Sequence, residues 1–197
     1  MINTLKGVLS VDNKALTVAY NAHIKQNRKG TDIPYIVHPL EVAVILIENG
    51  ADEDVINAGL LHDTLEDTDI SLEYLVENFG RKVAELVKGA SEPYKLNLET
   101  KLSDDERKVS WKLRKNHTIE YLKTAPLDIK LITCADKLSN IRSLVRDYEK
   151  VGDNLWQRFN AGYEEQKWYY NSLIESLKGL EDYDMYNELR GLAAKIF

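Results

Sequence analysis

Leu60-Leu61-His62-Asp63-Thr64-Leu65-Glu66-Asp67-Thr68 sets an imidazole beside a carboxylate at the end of an apolar run. Val55, Ile56, Gly59 and Leu60 before the pair have helical spacing, so His62 and Asp63 stand at the inner end of a helix. A charge among apolar neighbours is costly to hold, and a shared cation is the use that best offsets that cost. Upstream, Tyr35-Ile36-Val37-His38-Pro39-Leu40 supplies a second imidazole. Downstream, Cys134-Ala135-Asp136-Lys137-Leu138-Ser139-Asn140 supplies a second carboxylate. If the helical turn continues past Asp63, Glu66 shares a face with His62 and Asp63, and Asp67 lies beside them.

Working outward, the periodicity is helical nearly throughout and no strand is convincing. Asp12 caps a helix to about Lys25, and Gly30 and Pro34 break the pattern. Pro39 then sits in the first turn of a second helix that Gly50 closes. Asp52 or Asp54 opens the third. Ser71 caps a fourth that stops near Gly80, and a short fifth runs to Gly89. Residues 90–105, with Pro93 and no clear period, are expected as a long loop over a site. Helix resumes from Glu106 to Lys123. After Pro126, Leu127 to Tyr148 carries the best amphipathic stripe, through Ile132, Ala135, Leu138, Ile141 and Val145. Trp156, Phe159 and Tyr163 recur at helical spacing ahead of Trp168, Tyr169 and Tyr170, so the C-terminal part packs as helices whose aromatics are core rather than a base-stacking platform. The expected fold is an all-α, compact multi-helix bundle. A length of 197 residues suits one domain, with a motif-bearing core over about 12–150 and C-terminal helices over about 154–197.

The composition, 44% hydrophobic and 29% charged, excludes a disordered or low-complexity chain. A net charge of −6 argues against holding long nucleic acid mainly through phosphate neutralisation, which needs a broad cationic face. The single cysteine, Cys134, excludes intramolecular disulfides and thiolate cages and reads as a small apolar helix residue. No signal peptide or membrane-spanning run is legible, so a soluble, unprocessed cytoplasmic protein without a membrane partner is expected.

Two imidazoles and two carboxylates from His38, His62, Asp63 and Asp136 suit a borderline to moderately hard divalent cation, with positions left open for water and substrate oxygen. Mn²⁺ fits best, with Fe²⁺, Zn²⁺ and Mg²⁺ as alternatives, and phosphate-ester hydrolysis is the natural reaction. Taken singly, a histidine of this kind is more often structural, and it is the combination that reverses this. His23 has no acidic neighbour and reads as a hydrogen-bonded support, and His117 as a surface or rim residue. Asp136, Asn140 and Ser143, at steps of four and three, form a polar ridge beside the apolar stripe that can line a pocket. The basic clusters Lys25-Arg28-Lys29 and Lys112-Arg114-Lys115 each read most simply as solvated faces. Arg28 and Lys29 have the better case for a pyrophosphate, because they lie in a glycine-containing loop just ahead of His38. Lys115 is the third candidate for the distal charge.

The H…HD…D spacing of His38, His62-Asp63 and Asp136 resembles that of the HD phosphohydrolase superfamily. Ala22-His23 through Gln26, Arg28-Lys29-Gly30, Pro34-Tyr35-Ile36-Val37-His38-Pro39, Leu61-His62-Asp63-Thr64-Leu65-Glu66-Asp67-Thr68 and Ala135-Asp136-Lys137-Leu138-Ser139-Asn140-Ile141-Arg142 further resemble the hydrolase domain of RelA/SpoT homologues. At this length the chain is most similar to the stand-alone small alarmone hydrolases. The resemblance runs from about Ala19 to Leu144 and implies an all-α HD-domain bundle. It implies Mn²⁺ on His38, His62, Asp63 and Asp136, catalysis through Glu66 and Asp67, and nucleotide contacts from Asn140 and Ser143. The implied reaction removes the 3′-pyrophosphate of guanosine 3′,5′-bis(diphosphate) or its pentaphosphate, giving GDP or GTP. The alternatives are an HD phosphohydrolase acting on another nucleotide or small phosphoester, and a nonenzymatic nucleotide-binding regulator.

Overall fold

The structure, a computed structural model, describes residues 13–92, 104–159 and 161–197. Every named element among them is helical: α1 Asn13–His23, α2 Val37–Glu48, α3 Glu53–Leu61, α4 Thr64–Asp67, α5 Leu72–Ala90, α6 Asp104–Thr124, α7 Leu127–Val151, a 3₁₀ segment Gly152–Arg158, α8 Tyr163–Ser176 and α9 Asp184–Ile196. The nearest thing to a sheet is one antiparallel bridge between Asn27 and Pro34. No helix among these residues is long and apolar enough to cross a membrane. The expected Asp12 cap and most of the 90–105 loop lie outside the described residues.

Helix ends fall where backbone chemistry places them. Ser71 accepts a hydrogen bond from the Tyr74 amide and so caps α5. At Gly80, φ is +83°, which splits α5 at the position where the sequence pattern breaks. Asp52 precedes α3 as its N-cap residue, without a side-chain hydrogen bond. Trp156 and Phe159 belong to the 3₁₀ segment and its exit, and the helix proper begins at Tyr163, so the aromatic spacing there reflects packing of Trp156 on Tyr163 and Phe197 rather than one continuous helix.

α7 is the central rod. It packs against α2, α3, α5 and α9, and its buried face carries Ile132, Ala135, Leu138 and Ile141. α2 and α3 cross closely because Gly59 lacks a side chain: a Cβ there would stand 2.4 Å from Cδ1 of the fully buried Leu46. One continuous hydrophobic cluster runs from Ala15 to Ile196 and takes in Trp156, Tyr169 and Tyr170. Trp156, Tyr169 and Tyr170 are therefore core, while Phe159, Tyr163 and Trp168 pack against it partly buried, and Phe159, Tyr169 and Tyr170 also line a cavity.

Candidate metal centre

α3 stops at Leu61, so the helix does not run on through the His-Asp pair. His62 is its C-cap, and Asp63 is the N-cap of the four-residue α4. The hydroxyl of the buried Thr64 donates to the Leu61 carbonyl, and the amides of Glu66 and Asp67 bond to the Asp63 carbonyl. Asp63 reaches both imidazoles, and Glu66 lines the same cavity, its Oε1 accepting the Glu92 amide at 2.6 Å.

Side chains from α2, the α3–α4 junction and α7 come together: ligand atoms of His38, His62 and Asp136 lie within 4.8 Å of one another, and Asp63 stands beside both imidazoles. His38 Nε2 lies 3.2 Å from Asp136 Oδ1 and 3.6 Å from Asp63 Oδ2. His62 Nε2 lies 3.1 Å from Asp63 Oδ2 and 3.8 Å from Asp136 Oδ1. Ligands about 2.0–2.2 Å from one cation stand roughly 3–4 Å from each other, so these separations leave room for a single ion. His62 Nε2 is buried and has no hydrogen-bond partner, an orphan that a cation would satisfy. The donor set fits a divalent metal.

Outer contacts orient both rings. The Ser139 hydroxyl donates to Glu41 Oε2 at 2.9 Å, so its oxygen accepts from His38 Nδ1, also at 2.9 Å. His62 Nδ1 donates to the Gly59 carbonyl at 2.8 Å. In both imidazoles Nδ1 therefore carries a proton and Nε2 faces the centre. Tyr35 donates its hydroxyl to Asp63 Oδ2 at 2.6 Å. Burial lowers the pKa of His38. For His62 burial works in the same direction, but the carboxylates of Asp63 and Asp136 outweigh it and raise the value to about 9. Burial also opposes charge on the two acids. His62 and His38 around Asp63, and Lys137 with both imidazoles around Asp136, hold these carboxyls well below the usual carboxylate range. Ser139→Ala is expected to weaken metal binding about 10–100-fold by freeing the His38 ring, as read by competition with a fluorescent chelator. Unchanged affinity would remove the Ser139–Glu41 relay from the site.

A cavity of about 250 Å³ opens over these groups, with Glu66, Asp67, Glu92, Arg114, Lys115 and Lys137 among its walls. A second, of about 380 Å³, adjoins it and shares His38, Lys115, Lys137 and Asn140. Arg28, Lys29 and Ser143 line this second cavity and are absent from the walls of the first. Arg28 is presented by the turn from Gln26 to Tyr35, where Gly30 takes φ +73°, and its guanidinium donates to Asn140 Oδ1 at 2.7 Å. Asn140 in turn donates to Asp136 Oδ1 at 2.5 Å. The second basic cluster, ranked below the first from sequence, reaches the metal-side cavity through Arg114 and Lys115, whereas Lys112 lies over the Trp168 ring and Lys25 is exposed. His23 is a buried support: it bonds Gln26 Oε1 at 2.8 Å and stacks on Tyr35. His117 is an exposed rim residue.

Sequence reading left Lys137 without a role, yet it is 17% exposed and its Nζ lies 2.7 Å from Asp136 Oδ2. It also passed over Tyr35, Glu41 and Glu92. The signal for Lys137 is its place directly after a ligand-type aspartate, beside the polar ridge of Asp136 and Asn140.

Comparison with known proteins places the chain. The guanosine-3′,5′-bis(diphosphate) 3′-pyrophosphohydrolase of Aquifex aeolicus is 37% identical over 131 residues, 66% of this chain and 17% of that protein. A probable enzyme of the same name from Synechocystis is 40% identical over 133 residues, 66% of this chain and 16% of that one. The chain thus spans about a sixth of the length of these curated relatives. Among solved structures, lmo0812 from Listeria monocytogenes is 36% identical with a TM-score of 0.69, the match covering 83% of this chain and 96% of that one. A metazoan ortholog of SpoT, described as hydrolysing ppGpp and acting in starvation responses, is 26% identical with a TM-score of 0.71 over 92% and 93% of the two chains. The HD domain family profile matches residues 15–164, which include His38, His62, Asp63 and Asp136, and with this the chain belongs to the HD-domain family.

Proposed function

We propose that this chain is a divalent-cation-dependent hydrolase that removes the 3′-pyrophosphate of guanosine 3′,5′-bis(diphosphate), with Mn²⁺ as the cation. The observation that carries this reading is the close grouping of His38, His62 and Asp136, with Asp63 beside both imidazoles, under a cavity with cationic walls that continues into a second, larger one. The names of the similar pyrophosphohydrolases support the choice of substrate. When bound, the cation supplies Lewis acidity and lowers the pKa of coordinated water. The chain's own residues do the rest. Glu66 and Asp67, on the cavity wall, handle the proton of the incoming water and its delivery to the departing ribose 3′ oxygen. Arg28, Lys29 and Lys115 take phosphate charge, and Asn140 and Ser143 place the nucleotide in the adjoining cavity. Residues 1–197 act as one unit in the cytoplasm, where nucleotides are found.

The test is product chromatography on the full chain with Mn²⁺ and a nucleotide panel. Guanosine 3′,5′-bis(diphosphate) should give GDP and pyrophosphate. Lys29→Gln should raise KM about tenfold with bound metal unchanged, through loss of one charge-assisted contact. Faster hydrolysis of GTP or of a simple monophosphate would sink the assignment and favour a phosphohydrolase of other specificity.

A further inference from the structure

Glu92 is an acid in a place that suits an anionic ligand. Arg114 Nη1 lies 3.3 Å from its Oε2, and Lys115 Nζ is hydrogen-bonded to its Oε1. The three groups are 14–18% exposed, and all line the cavity above the candidate metal ligands. Lys137, from α7, lines the same cavity and adds to the attraction on this carboxylate while held at 2.7 Å by Asp136. Three cations thus face one carboxylate from α6 and α7. The Glu92 backbone is tied separately, its amide donating to Glu66 Oε1. The side chain can therefore move without breaking that bond.

A carboxylate carries one charge and two acceptor oxygens. A phosphoryl group carries up to two charges and three oxygens, and on the same nitrogen donors it is the stronger acceptor. We propose that Glu92 is an internal stand-in for the outer phosphoryl group of the substrate: it occupies the Arg114–Lys115 seat at rest, and a diphosphate displaces it. Resting on the function proposed above, this makes Glu92 a specificity-determining residue. It keeps the seat ordered while free, and it sets a threshold that weakly charged anions do not cross. A plain wall-closing ion pair predicts something different, because removing its acid would cost stability and leave anion affinity alone.

The experiment is calorimetric titration of inorganic pyrophosphate into the full-length chain held in chelator, so that no bridging cation contributes. Neither the nucleotide nor turnover enters, so a wrong guanosine assignment leaves the result readable. Glu92→Gln should bind pyrophosphate about tenfold or more tightly than the parent chain, since two charged donors are released. Adding Lys115→Gln to that variant should abolish the gain. Glu92→Asp, which keeps the charge but shortens the reach, should gain less than Glu92→Gln and serves if the glutamine variant does not fold. Unchanged or weaker binding in the folded Glu92 variants, or a gain that survives loss of Lys115, overturns the proposal.

Discussion

Asp63→Ala and Asp136→Ala are each expected to lose bound Mn²⁺ and hydrolysis together, with a fall in metal affinity beyond the roughly 100-fold limit seen when only an outer hydrogen-bond partner is removed. The reason is geometric. Each carboxylate stands within 3.1–3.8 Å of both imidazole Nε2 atoms, and neither ring has another protein group that can replace it at the centre. The two variants differ in side effects. Asp136→Ala also removes the partner of the partly buried Lys137, at a cost in stability. Asp63→Ala frees the Tyr35 hydroxyl and removes the contacts to both imidazoles but strands no lysine, so it is the cleaner test. Metal analysis after dialysis, with circular dichroism to establish folding, reads the result. A folded Asp63→Ala chain that keeps its metal would contradict the proposed ligand set.

Glu66→Gln should do the reverse, retaining metal while turnover falls about 10²–10⁴-fold, the usual worth of a positioned acid–base group. Its carboxylate lines the cavity but is not one of the converging donors, and its Oε1 already accepts the Glu92 amide. Glutamine keeps that acceptor, so the wall stays intact and only basicity is removed. Single-turnover rates beside metal content separate the cases. Metal loss equal to that of Asp63→Ala would move Glu66 into the coordination shell, and full activity would remove it from the chemistry.

The expectations that held were local ones. Ser71 caps α5, Gly50 and Gly80 take positive φ at helix ends, and the α7 stripe is buried from Ile132 to Ile141, with Val145 partly so. Each depends on residues within a turn or two of one another, where backbone preference and a 3.6-residue period act directly. The His-Asp pair was legible for the same reason, since adjacent polar residues closing an apolar run announce an unusual local environment. Beyond it the backbone stays right-handed helical through His62 and Asp63, and Glu66 and Asp67 line the same cavity as the pair.

Tertiary packing alone settled the rest. Which basic cluster reaches the metal side depends on where α6 lies against α8, and no charge count along the chain encodes that. The His38 tautomer is set by Ser139, 101 positions away, and Glu41 orients that serine across 98. Lys137 and Glu92 look like ordinary solvated charges in the sequence, and become groups of the site only when α7 and the end of α5 close around them. The pattern of apolar and turn-forming residues determines each helix. Convergence of side chains from different helices is decided by close packing, because a shift of one turn at Gly59 and Leu46 would carry a ligand beyond reach of the centre while leaving every local preference unchanged.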